Sequence, residues 1–314
     1  LKAGLAPATA VAQKPLSDAR LYGMIGFMIV SWALNFVIGK IALREIPALV
    51  LPGLRIGYAT LLLIPIYLWD ARRDARRDAR RRARIEFRWS DAPRLLIVGL
   101  CGITFNQFFF IAGLSRTSVG HMAVFISLSP IFVLAIAVAA GQERLTGAKA
   151  GGVLLAAAGV VILESSGKGT IAATPLGDFF ALLGTLAFAV YTVASKDLAS
   201  RYGSIPINML AYSVGSLTLL PVAWIYREGF RLFEVSAAAW WSVTYMAVFS
   251  SVLAYLIYYH ALKFISASRL SMFTYAEPVI AAALGFVILG EAVTWTFAAG
   301  AALVLSGVWT AERV

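Results

Sequence analysis

FISASRLSMFTYAEPVIAAALGFVILGEAVT, Phe264 to Thr294, decides how the rest of the chain is read. It is apolar over a length that spans a bilayer, yet it carries Arg269, Glu277 and Pro278 inside. A second copy lies earlier, from Arg116 to Thr146. One constant offset superposes Leu114 on Leu262, Ser118 on Ser266, Phe125 on Phe273, Pro130 on Pro278, Glu143 on Glu291, Thr146 on Thr294, Gly152 on Gly300 and Gly159 on Gly307. The chain therefore reads as a duplication.

The composition sets the class. With 60% hydrophobic and 14% charged residues and a mean hydropathy of +0.81, no soluble chain of this length buries so much apolar surface in one core. The net charge of +11 points to topology rather than to nucleic acid, because the basic residues gather in loops and are not spread over a surface. The single cysteine, Cys101, sits in an apolar run and leaves the redox compartment undecided.

Residues 1–20 are polar and Ala-rich, without the apolar core of a signal peptide, and read as a cytoplasmic tail. Apolar runs then recur at Leu21 to Ala42, Ala48 to Trp69, Pro93 to Ala112, Thr117 to Ala140, Thr146 to Leu163, Pro175 to Leu198, Ile205 to Tyr226, Ala238 to His260, Ala267 to Leu289 and Ala292 to Thr310. Each is close to the length of a spanning helix, and none alternates strictly as a barrel strand does. The fold class expected is an all-α polytopic integral membrane protein of ten transmembrane helices.

Loop charge orients these helices. One side holds both termini, Arg144, Lys149, Lys196, Arg201, Lys263, Arg269 and the ten arginines from Arg72 to Arg94; the other holds only Lys40, Arg44, Arg116, Lys168, Arg227 and Arg231. Both termini are expected in the cytoplasm, of a bacterial inner membrane. Within the basic loop, residues 70–92, DARRDARRDARRRAR places Asp every fourth position among Arg, the pattern of a solvated helical extension lying near anionic headgroups. No aromatic residues interleave with it, so no nucleic-acid partner is expected.

The first segment also has a partner, at a slightly larger offset: Trp32 falls on Phe188, Asn35 on Tyr191, Gly39 on Ser195 and Lys40 on Lys196. The long basic loop absorbs the difference between the offsets. Each half then has five helices, residues 21–164 and 175–311, and an odd number turns the second half upside down. Two inverted five-helix repeats around a central cavity suit alternating access.

Several motifs now match a known family. They are Leu128-Ser-Pro130 followed by Gln142-Glu-Arg-Leu-Thr146, Tyr275-Ala-Glu-Pro278 followed by Leu289-Gly-Glu-Ala-Val-Thr294, and Arg55 in the second segment. With them the chain resembles the drug/metabolite transporter (DMT) superfamily, in its ten-helix branch of paired EamA domains, over nearly everything from Leu21 to Thr310. Its aromatic-rich composition is most similar to the bacterial YddG-type exporters of aromatic amino acids. The resemblance implies a secondary transporter and leaves the cargo open.

The duplication also selects candidate residues, since a position polar or aromatic in both copies and on one helical face outranks a lone one. Trp32 with Phe188 and Asn35 with Tyr191 pass on the first and sixth helices. Gln107 with Tyr255 and Phe110 with Tyr258 pass on the third and eighth; His121 with Arg269, Phe125 with Phe273 and Ser129 with Glu277 pass on the fourth and ninth. With Asn106 added, these faces would line a mostly aromatic cavity with a few amide and hydroxyl groups, suited to a flat amphipathic solute. Against this stands the ordinary abundance of Phe and Tyr in membrane helices. Glu277 is the one carboxylate placed well inside a segment. It reads first as a hydrogen-bonded structural group beside Pro278 and second as a proton carrier. His121 and Arg269 either orient an anion or snorkel to headgroups. Lys40 and Arg55 read as interface or packing residues, and Glu143 and Glu291 as carboxylates at helix starts.

Small residues along Gly151 to Gly159 and Ala298 to Gly307 call for close helix packing, within the monomer or across a homodimer. An intramembrane enzyme is not expected. His121 and His260 are the only histidines, and neither metal-ligand spacing nor a Gly-x-Ser-x-Gly elbow occurs. No ATP-binding loop is present, so neither cofactor nor metal is called for and energy comes from a solute or ion gradient. The cargo expected is an aromatic amino acid or related amphipathic metabolite. Drugs, amines, sugars or nucleotides on the same fold, or a channel, are the alternatives.

Overall fold

The computed structural model describes residues 18–81, 88–139, 146–165, 174–261, 264, 273 and 276–312. Among these residues there is no strand, and ten helices follow one another: α1 Asp18–Ala42, α2 Leu51–Arg81, α3 Trp89–Leu114, α4 broken into Val119–Ile126 and Ser129–Ala139, α5 Gly147–Ser165, α6 Pro175–Tyr202, α7 Ser204–Ile225, α8 Ala237–Ala261, α9 described as Ala276–Leu289, and α10 Trp295–Glu312. Seven of them contain stretches long and apolar enough to cross a membrane, and α5, α9 and α10 are shorter apolar helices. The chain is a multi-pass membrane protein.

The outer surface fits a lipid solvent. Leu61, Leu154, Val161, Leu217 and Val287 project outward from mid-helix, while Trp89, Trp224, Trp241 and Trp295 stand exposed near helix ends, where amphipathic rings meet headgroups. Helix ends follow local chemistry. Ser118 and Ser236 cap α4 and α8 by accepting from the amides of His121 and Ala239. Gly203, at φ 86°, reverses the chain between α6 and α7, and Gly290, at φ 68°, ends α9 in the left-handed region that glycine enters without strain.

α2 runs past the expected Trp69 to Arg81. Its 31 residues make a rod of about 46 Å, so the arginine-rich stretch continues the spanning helix out of the hydrocarbon. Residues 82–87 of that loop lie outside the described residues.

The packing is two-fold in pattern. α2 lies on α7, α5 on α10 and α4 on α9, each helix meeting its own equivalent, while α1 packs on α8 and α9 as α6 packs on α3 and α4. Side chains at the crossings repeat the exchange. Thr60 Oγ1 on α2 meets Ser216 Oγ on α7 at 2.7 Å, and these two residues are related by the offset that pairs α1 with α6. On α5 and α10, a Cβ at Gly159 would fall 2.8 Å from the Gly300 carbonyl, and one at Gly307 would fall 2.6 Å from the Gly152 carbonyl. Gly152 and Gly159 are the equivalents of Gly300 and Gly307, so the contact maps onto itself. Gly152, Gly159, Gly300 and Gly307 are thus engaged in packing within the chain.

α4 breaks where Leu128-Ser129-Pro130 places a residue with no N–H to donate. The last turn before the break tightens, with the Leu128 amide donating to the Phe125 carbonyl at 3.2 Å, and the Ser127 hydroxyl turns back to Val124 at 2.6 Å. Glu277-Pro278, the equivalent pair, occupies the first turn of α9.

α3 and α8 share a second irregularity. Each contains a π-helical stretch, Leu100–Phe105 and Met246–Leu253, at equivalent positions of the two halves. Single wide turns of this kind re-aim the side chains that follow, here Asn106 and Gln107 on α3 and Tyr255 on α8.

Candidate binding site

The two halves meet in a cluster of rings. Trp32 of α1 stands 5.7 Å from Tyr255 and 5.9 Å from Tyr258 of α8, centroid to centroid. Phe188 of α6 lies 5.7 Å from Tyr191 and 6.2 Å from Tyr258, and Tyr191 lies 6.3 Å from both Tyr255 and Tyr259. Tyr212 of α7 crosses Tyr255 edge-on at 88°. Such tilted and edge-to-face pairs are the favoured ring geometries, and they leave the hydroxyls to find polar partners. Tyr191 and Tyr259 share a hydrogen bond between their hydroxyls. The Tyr212 hydroxyl donates to the Ser251 carbonyl at 2.8 Å, and Trp32 Nε1 donates to the Ser250 carbonyl at 3.1 Å. Those two carbonyls belong to the π stretch of α8.

Polar groups edge this cluster. Gln107 reaches the Tyr255 hydroxyl and also donates from Nε2 to Asn106 Oδ1 at 2.8 Å. Asn106 in turn donates to the Gly184 carbonyl at 3.0 Å, pinning α3 to α6. Asn35 lies three residues along α1 from Trp32 and is buried. Its Oδ1 and Gln107 Oε1 have no hydrogen-bond partner among the described residues. Glu277, buried in the first turn of α9, lies near enough to Tyr255 to act on it electrostatically.

The structure brings Trp32, Phe188, Tyr191, Tyr255, Tyr258, Gln107 and Glu277 into one neighbourhood. Phe110 lies 5.3 Å from Phe36 on one side and under the Arg55 guanidinium, 6.0 Å away, on the other. Phe125 is wholly buried in the core between α1, α4 and α6, and Phe273 packs on Tyr22 at 5.7 Å. Arg269 lies outside the described residues.

His121 has a different place. Its Nδ1 is 3.1 Å from Asp178 Oδ2, Thr117 donates to Asp178 Oδ1 at 2.5 Å, and the imidazole stacks on Phe297 at 5.8 Å. His121, expected either to orient an anion or to snorkel to headgroups, sits in a buried clamp joining α4, α6 and α10. Asp178, at the start of α6, is a second buried carboxylate, in addition to Glu277, and is only 1% exposed. A third, Glu291, accepts from the Val119 and Gly120 amides at 2.8 and 3.3 Å and so caps α4, with Lys40 near it.

Three members of the central neighbourhood escaped the sequence reading: Arg55, Tyr212 and Tyr259. Under the offsets of the duplication their equivalents are Ala211, Ile56 and Ile111. A filter that asks for polarity in both copies discards all three. Arg55 carried its own signal, a lone guanidinium in the apolar run of α2.

Known proteins fit this architecture. The profile of the EamA-like transporter family matches residues 21–165 and 175–311. An uncharacterized transporter of Archaeoglobus fulgidus is 28% identical over 92% of this chain and 98% of its own length. A Streptantibioticus cattleyicolor protein named "Probable terminal-alkyne amino-acid exporter" is 26% identical over 72% of this chain and 75% of its own. The uncharacterized inner membrane transporter YicL of Salmonella typhimurium is 27% identical over 70% and 72%. A solved crystal structure superposes with a TM-score of 0.60 at 19% identity, over 94% of this chain and 98% of that one, and shares the fold.

Proposed function

Because the chain belongs to the EamA-like transporter family, and is thus a membrane transporter and not an enzyme, we propose that it exports amino acids, aromatic ones and related amphipathic metabolites foremost. The observation that carries this reading is the ring cluster of Trp32, Phe188, Tyr191, Tyr255 and Tyr258 where the two halves meet. Rings drawn from both halves make a stacking surface whose shape changes when the halves move against each other. Asn35, Gln107 and the tyrosine hydroxyls supply hydrogen bonds for a polar head. The amino-acid exporter among the relatives supports the same class of cargo.

Transport proceeds by alternating access, with residues 21–164 and 175–311 as the two repeats and the broken α4 beside their junction. The arginine-rich end of α2 supports termini in the cytoplasm, and YicL supports placement in an inner membrane. Glu277 gives a second reading its footing, since a buried carboxylate beside Tyr255 also suits an amine cargo.

The test is flux in proteoliposomes. Aromatic amino acids should move saturably and drive counterflow of labelled substrate. Absence of flux for every amino acid above empty vesicles, with flux of aromatic amines intact, transfers the function to the second reading. Ohmic, non-saturating current assigns a channel.

A further inference from the structure

Arg55 is the feature that this reading leaves without a task. It is 2% exposed in the middle of the bundle. Its Nε donates to Ser251 Oγ at 2.9 Å, and its Cζ lies 6.0 Å from the centre of the Phe110 ring. Nη1 has no hydrogen-bond partner, and Arg55 forms no salt bridge among the described residues. Tyr212 and Tyr255 are its electrostatic neighbours, and Glu277 acts on Tyr255 without pairing with Arg55. A guanidinium keeps its charge at any pH a protein experiences and cannot neutralise itself when buried. An uncompensated charge in this setting is costly, and such groups at membrane depth mark a path for solutes.

We infer that Arg55 is the docking group for a carboxylate on the cargo, with Asn35 Oδ1 and Gln107 Oε1 receiving the ammonium, so that the centre holds a zwitterion beside the ring cluster. The donor fork of Arg55 matches a carboxylate in shape, and its unpartnered Nη1 supplies the bond. The two amide oxygens are acceptors only, are buried and lack partners, which is the complement an ammonium needs. The two poles lie on common ground: Ser251, which holds Arg55, is one turn before Tyr255 on α8, and Phe110, whose ring lies beside the guanidinium, is one turn beyond Gln107 on α3. The inference rests on the amino-acid reading for the ammonium pole alone; the Arg55 pole stands for any carboxylate cargo.

Binding to purified protein in nanodiscs separates these statements. The probes are L-phenylalanine, its amide, 3-phenylpropionate and phenethylamine, measured by calorimetry on wild type and on Arg55→Gln and Arg55→Lys. In wild type the acid should bind at least about tenfold more tightly than the amide, the span of one hydrogen bond to a charged group. Arg55→Gln should erase that preference and weaken 3-phenylpropionate to the same degree while leaving phenethylamine unchanged, and Arg55→Lys should restore part of it. Equal binding of acid and amide to wild type overturns the inference, and this arm needs no variant that folds. An Arg55→Gln protein that keeps the acid preference overturns it as well, with the amino-acid reading intact. If 3-phenylpropionate binds through Arg55 but phenylalanine does not, the amino-acid reading fails and Arg55 stands. If no aromatic probe binds, non-aromatic carboxylates against their amides put the same question, and a tie or silence there removes Arg55 from the site.

Discussion

Alanine at Gly159 or Gly307 should pry α5 from α10. A Cβ at Gly159 would sit 2.6 Å from the Val304 amide nitrogen and 2.8 Å from the Gly300 oxygen, both backbone. At Gly307 it would meet the Ala156 nitrogen and, at 2.6 Å, the Gly152 oxygen. No side chain can turn away to make room, so the helix axes must separate by most of an ångström, with loss of dispersion along the whole contact. Overpacking of this kind costs about 1–3 kcal/mol per site. Both substitutions relieve themselves by the same separation, so the double variant should cost less than the sum of the singles. Gly147 and Gly151, on the same helix with nothing within 4 Å of an added Cβ, are the controls. Alanine there should change stability by less than about 0.5 kcal/mol. Unfolding of purified protein, followed by reactivity of Cys101 during heating, reads all five variants. Gly159→Ala and Gly307→Ala melting with Gly151→Ala would refute both the contact and the two-fold frame it belongs to.

Trp32→Ala should reduce saturable flux of aromatic cargo by at least about tenfold, since it removes a ring that touches both Tyr255 and Tyr258, whereas Trp32→Phe should keep part of it; initial rates in proteoliposomes check this. His121→Ala removes the partner of Asp178 Oδ2, leaves the Thr117 bond to Oδ1, and should destabilise by about 1–3 kcal/mol without altering the relative transport of different amino acids. Thermal unfolding and competition assays on one preparation would separate that clamp from a binding role. The Glu45 carboxyl is held below the usual carboxylate range by hydrogen bonds from the hydroxyl and amide of Ser236. A depressed carboxylate contributes stability that is present above its unfolded value and lost as pH falls through its folded one. The melting midpoint should therefore hold from pH 8 to about 5 and drop below about 4, a drop that Glu45→Gln lessens.

The fold was legible because bilayer and duplication each impose a period on the sequence. Runs of about 20 apolar residues fix a helix whatever its neighbours, and the small residues of α5 and α10 announced close packing while leaving open whether it lay within the monomer or across a dimer. Part of the ring cluster was legible for a related reason: Trp32 and Phe188 are equivalents of each other, and Tyr191, Tyr255 and Tyr258 are the equivalents of Asn35, Gln107 and Phe110. What stayed hidden was asymmetric. Arg55 and Tyr212 face Ala211 and Ile56 in the other copy, and the pairing of His121 with Asp178 joins residues of different halves that no offset relates. Such contacts depend on how the halves pack, and local pattern carries no trace of it.

The asymmetric residues set the two π stretches apart. In the π stretch of α3, Gly102 lies under the Tyr191 ring, Ile103 lies under Gly215, and the Thr104 hydroxyl meets Thr218 Oγ1 at 2.7 Å. The equivalent stretch of α8 offers Ser250 and Ser251, whose carbonyls are taken by Trp32 and Tyr212 and whose hydroxyls meet the Ser31 carbonyl and Arg55. A wide turn frees carbonyls from the regular ladder, and here side chains of α1, α2 and α7 bind where the ladder is loosest. Movement of the first half against the second would break the Trp32 and Arg55 bonds to α8 together, and a bound solute that engages both residues competes for the same groups. Under the proposed docking, cargo binding and the contact between halves would draw on one set of hydrogen bonds, the condition under which a ligand shifts the balance between two arrangements of a transporter.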